Sequence, residues 1–496
     1  MNADLKDIGL LLESKIPILV IESYEEPRVL EMITRLAVSR ATPLYTWSVT
    51  EGLCLLGFGS DIRTKSRLNE PKELLEHIKA DSTPSIYALC DFHPYLKEEP
   101  VNVRLLREIA MRYHHLGHTL ILLSHEFSLP NEVKRYSVKF ELSMPTEQQL
   151  ETLVREEASK WSQAQGGRPV RSDTATFKKL VQNLRGVPLH EARQLVRGVI
   201  YDNGAILESD IPAVNEAKFA LMDMEGVLSF EYDTAQFTEV GGLHQLKKWL
   251  VDRRDVVLKS NSNSNLDPPK GIMLLGIQGS GKSLAAKAVA GMWGLPLLRL
   301  DFGSLYNKFY GETERNLRQC LNLADMMSPC VLWLDEIEKG ISTSQGDQGI
   351  SQRLLGTLLT WMAERTSMVF IVATSNDISQ LPPELVRKGR LDEIFFVDLP
   401  DTKTRQDIFS IHLKRRKENP ANFNLASLSD HSDGYSGSEI EQAVVSALYS
   451  VAANDRPLSD VELLNAITET NPLSTVMYEK IESLRTWAQD RCVFAG

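Results

Sequence analysis

Short apolar runs alternate with stretches of helical period along most of the chain. Ile18-Leu19-Val20-Ile21, Leu44-Tyr45-Thr46-Trp47, Ile86 to Cys90, Thr119 to Ser124 and Phe140 to Leu142 read as strands. Continuous apolar runs of about four to eight residues suit strands covered on both faces, as in parallel sheets. Behind Pro27, the residues Val29, Leu30, Ile33 and Leu36 return at the spacing of one helix face. The second half repeats the alternation with Ile272 to Leu275, Leu297 to Leu300, Cys330 to Leu334, Val369 to Ala373 and Ile394 to Val397. Between these runs Leu284, Ala288, Val289 and Met292 share a helical face, as do Leu317, Leu321 and Ala324, and later Leu354, Leu355, Leu358, Leu359 and Met362. Strands alternating with helices predict an α/β fold with a parallel sheet, and here the pattern occurs twice.

Residues 276–283 interrupt the second pattern with Gly-Ile-Gln-Gly-Ser-Gly-Lys-Ser, a full G-x-x-x-x-G-K-[ST] match between a strand and a helix. Gly276, Gly279 and Gly281 let the backbone bend so that several N–H groups face one phosphate, and the helix N-terminus adds its positive end. Gln278, Ser280 and Leu284 belong to the same expected phosphate-binding set. Lys282 can reach the β- and γ-phosphates, and the Ser283 hydroxyl can hold Mg²⁺. A glycine-rich turn that binds nothing would need no such strand, helix, lysine and serine together, so the chain is expected to bind a nucleoside triphosphate with Mg²⁺.

Three further signals follow the loop. Cys330 to Glu336 is an apolar run ending in two acids; Asp335 at the strand tip is placed for the magnesium shell, and Glu336 for polarising the attacking water. Val369 to Ala373 leads into Thr374-Ser375-Asn376, whose amide could meet the γ-phosphate or that water. In Arg387-Lys388-Gly389-Arg390 two arginines flank a glycine, and in an oligomer they could complete a neighbour's site by neutralising charge on the transferring phosphoryl group. Taken singly, a strand-end Asn is a turn residue and such arginines are solvated charges. Their order after the loop carries the reading.

In this order and spacing the motifs resemble those of the AAA family of ATPases. The resemblance extends upstream to Glu239-Val240-Gly241-Gly242-Leu243, which in the family borders the adenine. Downstream it reaches Gly434 through Ile440, including Gly437 and Ser438, which opens a lid helix near the ribose and phosphates. It implies that Val240, Gly242 and His412 lie beside the base, that Lys282 and Ser283 meet phosphate and Mg²⁺, and that Asp335 holds the metal. It also implies Glu336 as the catalytic base, Asn376 as a γ-phosphate sensor, and Arg387 and Arg390 as fingers reaching a neighbouring subunit's site. Ile277 and Gln278 stand where the family usually has two prolines, which marks a divergent branch. Members that thread polypeptides carry an aromatic-hydrophobic-Gly-Glu segment facing a central pore, and here Phe309-Tyr310-Gly311-Glu312 matches it. The alternative is that Phe309 and Tyr310 pack at a helix start.

The first half resembles a copy of the second that has lost its chemistry. Its apolar runs follow the same order, yet Glu22-Ser23-Tyr24-Glu25-Glu26 stands where the phosphate loop belongs, and three carboxylates there would repel a triphosphate. Phe92 is read at the place of Glu336, so no base is expected, and the arginine pair is missing. An unrelated α/β domain is the alternative. A degenerate AAA-like domain is therefore expected over 1–150, a lid-like helical region over 151–207, a linker over 208–235, a P-loop ATPase domain with a parallel sheet over 236–402, and a helical lid with C-terminal helices over 403–496. The polar run 260–265 is expected to be a mobile loop. This two-part layout resembles AAA ATPases encoded in bacteria and, as a hypothetical reading frame, in algal plastid genomes.

Composition narrows the surroundings more than the chemistry. A formal net charge of -11 argues against a general nucleic-acid binder. Five scattered cysteines without a C-x-x-C suit a reducing compartment and no structural zinc. No apolar stretch approaches a membrane span, and the first residues carry neither secretory nor transit pattern, so the expected location is the cytoplasm, or the plastid stroma for a plastid-encoded chain. The expectation is an ATP-hydrolysing machine, a hexameric ring or other homo-oligomer, that remodels an unidentified protein client. The alternatives are a nucleotide-gated switch or scaffold that threads nothing, and a DNA-linked loader.

Overall fold

A computed structural model describes residues 2–56, 65–66, 68–125, 127, 129–221, 228–232, 237–258, 267–303, 313–341, 348–378, 381–387, 389–453 and 457–496. The chain forms two compact units, residues 1–145 and 146–496.

The first unit is built on a seven-stranded sheet. Its strands are β1 (Ile18–Glu22), β2 (Leu44–Ser48), β3 (Gly52–Leu56), β4 (Lys65–Ser66), β5 (Ile86–Cys90), β6 (Thr119–Ser124) and β7 (Ser137–Glu141), in the order β4-β3-β2-β5-β6-β1-β7. The strands from β2 to β7 in that order pair parallel. Ile18, Val20, Leu120 and Leu122 enter one buried cluster, while Leu19, Ile21, Ile121 and Leu123 enter the other. Both faces are thus covered, which is why these strands read as unbroken apolar runs rather than alternating ones.

The second unit opens with a helical part. Thr146 caps the helix Glu147–Ala164 in a capping box with Gln149. This helix and Thr174–Asn183, Leu189–Asn203 and Ile211–Leu221 enclose a core that includes Leu150, Leu180, Val196 and Val214. A short parallel pair, β8 (Arg171–Ser172) and β9 (Ala205–Ile206), lies among them. A second seven-stranded sheet follows: β10 (Leu228–Glu231), β11 (Gly271–Gly276), β12 (Leu297–Asp301), β13 (Cys330–Asp335), β14 (Val369–Ser375), β15 (Glu393–Val397) and β16 (Val493–Phe494). Its order is β10-β12-β13-β14-β11-β15-β16. In both sheets five adjacent parallel strands run second, third, fourth, first, fifth in chain order. The first strand therefore ends where the direction of winding reverses, the crevice in which open α/β sheets bind ligands.

Several expectations need correction. The boundary at 150 falls inside the helix Glu147–Ala164, because the chain break that matters is the capped turn at Thr146. The segment 208–235 is not simply a linker: Ile211 and Val214 fill the helical core, and β10 pairs antiparallel with β12. The C-terminal segment is not all helical, since β16 joins β15, and its last helix, Tyr478–Ala488, puts Leu484 and Ala488 into the core of the large sheet. A helix Asn2–Glu13 precedes β1, which the sequence pattern did not suggest. Phe92 does not occupy the place of Glu336. Asp91 and Glu336 are each the first residue past the third parallel strand, with φ of 52° and 46°, whereas Phe92 is buried against Trp47. Aligning Asp91 with Asp335 by residue type shifted the register by one.

Candidate functional site

The loop after β11 packs against two neighbours that leave no room for side chains. A Cβ on Gly276 would lie 2.1 Å from the Val397 carbonyl oxygen of β15, and one on Gly279, at φ 77°, would lie 2.1 Å from Ser438 Oγ. Glycine is the residue that permits both approaches. The Gly279 carbonyl accepts from Ser438 N at 3.2 Å, so the helix Gly437–Ala453 is seated directly on the loop.

The helix Lys282–Trp293 begins inside this loop. Its buried face is Ala285, Ala286, Ala288, Val289, Ala290 and Trp293, with Leu284 and Met292 only half-buried, a wider and smaller-residued face than the apolar spacing suggested. Lys282 is buried, and its Nζ donates to the carbonyls of Gly276 (2.9 Å) and Ile277 (2.7 Å). Burial pushes its ammonium down to about 8, against the pull of Glu338, Glu336 and Asp335. Ser280 Oγ is buried without a hydrogen-bond partner. An unanswered hydroxyl, a buried ammonium held only by neutral carbonyls, and a glycine cradle fit a phosphate chain.

The carboxylates gather opposite the loop. Asp335 Oδ1 accepts from Thr374 Oγ1 at 2.9 Å, and Oδ2 from Arg299 at 2.7 Å. The positive φ of Glu336 is a strained conformation for a residue with a Cβ, and it aims the side chain off the strand end. Glu336 N donates to Thr374 Oγ1 (3.1 Å), Oε1 accepts from Asn376 Nδ2 (3.1 Å), and Oε2 pairs with Lys339. Asn376 N donates to Glu338 Oε1 at 2.9 Å, while the other oxygen of that buried acid has no partner. Asp335, with the exposed hydroxyl of Ser283 nearby in the same cleft, supplies the hard oxygen donors that suit Mg²⁺.

Loop, acids and lid together line one cleft of about 540 Å³. Gln278 through Leu284, Asp335, Glu336, Asn376, Val240, His412, Gly437 and Ser438 all face it. So do Thr374, Ile408, Ile411, Arg415 and Glu441, which sequence reasoning missed. Ile408, Ile411 and His412 come from the helix Thr402–Arg415, and the two isoleucines give the cleft apolar lining. Burial lowers the His412 imidazole below its ordinary value, and its Nδ1 lies 3.5 Å from Glu441. Thr374 had left a signal, being a hydroxyl at the end of a fully buried strand.

Other expected residues lie elsewhere. Gly242 packs on Thr404 rather than lining the cleft, and Gly276 sits beneath it, offering its carbonyl to Lys282. Arg387 is exposed and Arg390 half-buried, and neither lines the cleft. Phe309, Tyr310 and the run 260–265 lie outside the described residues. No described helix is long and apolar enough to cross a membrane.

Known proteins supply the same reading. Residues 272–399 match the ATPase family associated with various cellular activities (AAA). Residues 4–142 match the N-terminal domain, and 148–225 the second domain, of SpoVK-like AAA ATPases. The AAA domain-containing protein ycf46 of Guillardia theta is 34% identical over 492 residues, covering 97% of this chain and 94% of the relative. That of Pyropia yezoensis is 34% identical over 489 residues, covering 98% and 97%. A proteasome-activating nucleotidase of Saccharolobus islandicus is 34% identical over 252 residues, which are 49% of this chain and 64% of that protein. With the first and second SpoVK-like domains ahead of the phosphate-loop sheet, and near full-length likeness to the ycf46 proteins, this chain belongs to the AAA ATPase family.

Proposed function

We propose that the chain is a magnesium-dependent ATPase that works as a homo-oligomer, a hexameric ring in the first instance, to remodel a protein partner. One observation carries the hydrolytic reading: Lys282, Asp335, Glu336 and Asn376, far apart in sequence, line a single cleft. Lys282 and the loop 278–284 hold the phosphates of ATP, and Ser283 and Asp335 hold Mg²⁺. The metal, when bound, neutralises charge building on the phosphates. Glu336 takes the proton of the attacking water, and Asn376, whose amide already meets Glu336 Oε1, keeps that carboxylate and the water in line. The apolar wall from Ile408 and Ile411, with Val240 and a neutral His412, receives the adenine.

Arg387 and Arg390 stand away from the cleft of their own chain, which supports a role at a neighbouring subunit's site. Likeness to a proteasome-activating nucleotidase favours a protein partner, met by Phe309 and Tyr310.

Lys282→Ala should abolish binding of a fluorescent ATP analogue. Glu336→Gln should bind ATP normally while turnover drops by roughly 10²- to 10⁴-fold, the usual contribution of a positioned base. Hydrolysis by Glu336→Gln at the parent rate would remove the base assignment. For assembly, light scattering of Glu336→Gln with ATP should report a mass several times the monomer's, and a monomer under all conditions would rule out the trans arginines.

A further inference from the structure

Arg299 lies on β12 opposite Trp333 of β13, with its guanidinium 4.8 Å over the Trp333 ring. One amino group donates to Asp335 Oδ2 at 2.7 Å. The other lies 3.7 Å from Glu231 Oε1 on β10, and Nε is buried without a hydrogen-bond partner. Glu231 pairs in turn with Lys287, 2.8 Å away on the helix that starts at Lys282. The guanidinium thus stands between two carboxylates, bonded to one and within reach of the other. Thr374 engages the remaining oxygen of Asp335. A guanidinium and Mg²⁺ draw on the same carboxylate charge, so each weakens the other's hold.

We propose that Arg299 is a positioning residue that sets the magnesium affinity of the site, releasing Asp335 to the metal by shifting to Glu231. The proposal rests on the magnesium role given above to Asp335. It also assigns a purpose to β10. That strand is the first described element after the second domain's last helix, Ile211–Leu221, and through Glu231 it makes a charge contact one residue away from the metal-holding acid. Arrangement of the strand would then adjust metal affinity at the site.

Titrating Mg²⁺ against the protein with a bound fluorescent ADP analogue reads metal binding without turnover. Arg299→Ala should lower the half-saturating Mg²⁺ concentration by roughly two- to fivefold, the scale of a partly solvated charge pair. Arg299→Gln, which keeps a planar hydrogen-bonding side chain, should move it in the same direction. Glu231→Gln removes the second carboxylate and should raise the half-saturating concentration. The double variant should match Arg299→Ala alone, because the two residues act through one exchange. Unchanged or weaker Mg²⁺ binding in both Arg299 variants overturns the proposal, and so does an additive double variant. Asp335→Asn separates this from the underlying reading. If Asp335→Asn leaves the Mg²⁺ dependence intact, the metal role of Asp335 fails; if it abolishes that dependence while the Arg299 variants change nothing, only the exchange fails.

Discussion

Lys282 owes its lowered value of about 8 to burial, and phosphate oxygens would restore the charge that burial disfavours. The sign follows from proton uptake. Below about pH 8 the ammonium is already charged and binding takes up no proton there. Between about 8 and its ordinary 10.5 the free protein has lost a proton that the complex retains. Nucleotide affinity should therefore be flat up to about pH 8 and decline above it, with proton uptake visible by calorimetry in buffers of different ionisation enthalpy. Affinity that rises through this range would contradict the buried-ammonium account. Thr374 invites a second test, since its hydroxyl donates to Asp335 and accepts from Glu336 N. Thr374→Val keeps the shape and removes both contacts, leaving a backbone N–H unanswered at a cost of about 1–3 kcal/mol. We expect turnover to fall about tenfold or more with ADP affinity little changed, as a factor of ten corresponds to about 1.4 kcal/mol. Lys282, Asp335, Glu336 and Asn376 were legible because motif spacing names them. Glu338 was not, because its partner, the Asn376 amide, arrives from the end of β14.

Three helices of the second unit meet at an unusual lysine. Lys218, only 1% exposed on the helix Ile211–Leu221, donates to the carbonyls of Asn183, Arg185 and Met326. Met326 ends the helix Thr313–Met326 of the ATPase sheet layer, so one ammonium answers carbonyls at the C-terminal ends of helices from both parts. Gly186 allows the approach, as a Cβ there would lie 2.5 Å from the Met326 carbonyl oxygen. Lys218→Met should fold but lose about 2–3 kcal/mol, from buried carbonyls left without a donor, measured by urea unfolding. A change below about 0.5 kcal/mol would show that the contact is replaceable by water. The helix Ile211–Leu221 falls in a segment expected to be a linker, although Val214, Ala217 and Leu221 recur there at helical spacing. A lysine on such a helix reads as solvent-facing, and burial reversed that.

The whole chain sets two sheets of one strand order beside unequal chemistry. In the first unit the end of β1 and the residues just past it carry Glu22, Glu25 and Glu26, and Glu22 is paired with Lys139. Asp91 repeats the backbone conformation of Glu336, and Ser124 Oγ donates to it at 3.1 Å. Residues 22–26 carry neither glycine nor lysine, so this carboxylate is expected to meet no bound phosphate. Residues 1–145, expressed alone, should unfold cooperatively on heating, since the unit has its own two-faced core, and calorimetry should detect no ATP binding. Micromolar ATP affinity in this fragment would show that the turn binds nucleotide by some other means.

What the residues alone determined was local. Apolar runs marked strands buried on both faces, glycines at set intervals marked the loop after β11, and the acids and amide at strand ends marked residues that share its cleft. These signals depend on spacing within one segment, so they survive in a linear reading. The fold alone decided that β10 and β16 close the second sheet and that Lys218 is buried. It alone paired Thr374 and Arg299 with Asp335, and put Asp91 rather than Phe92 in the place of Glu336. Each of those facts is a matter of register between segments distant in the chain, which only packing settles.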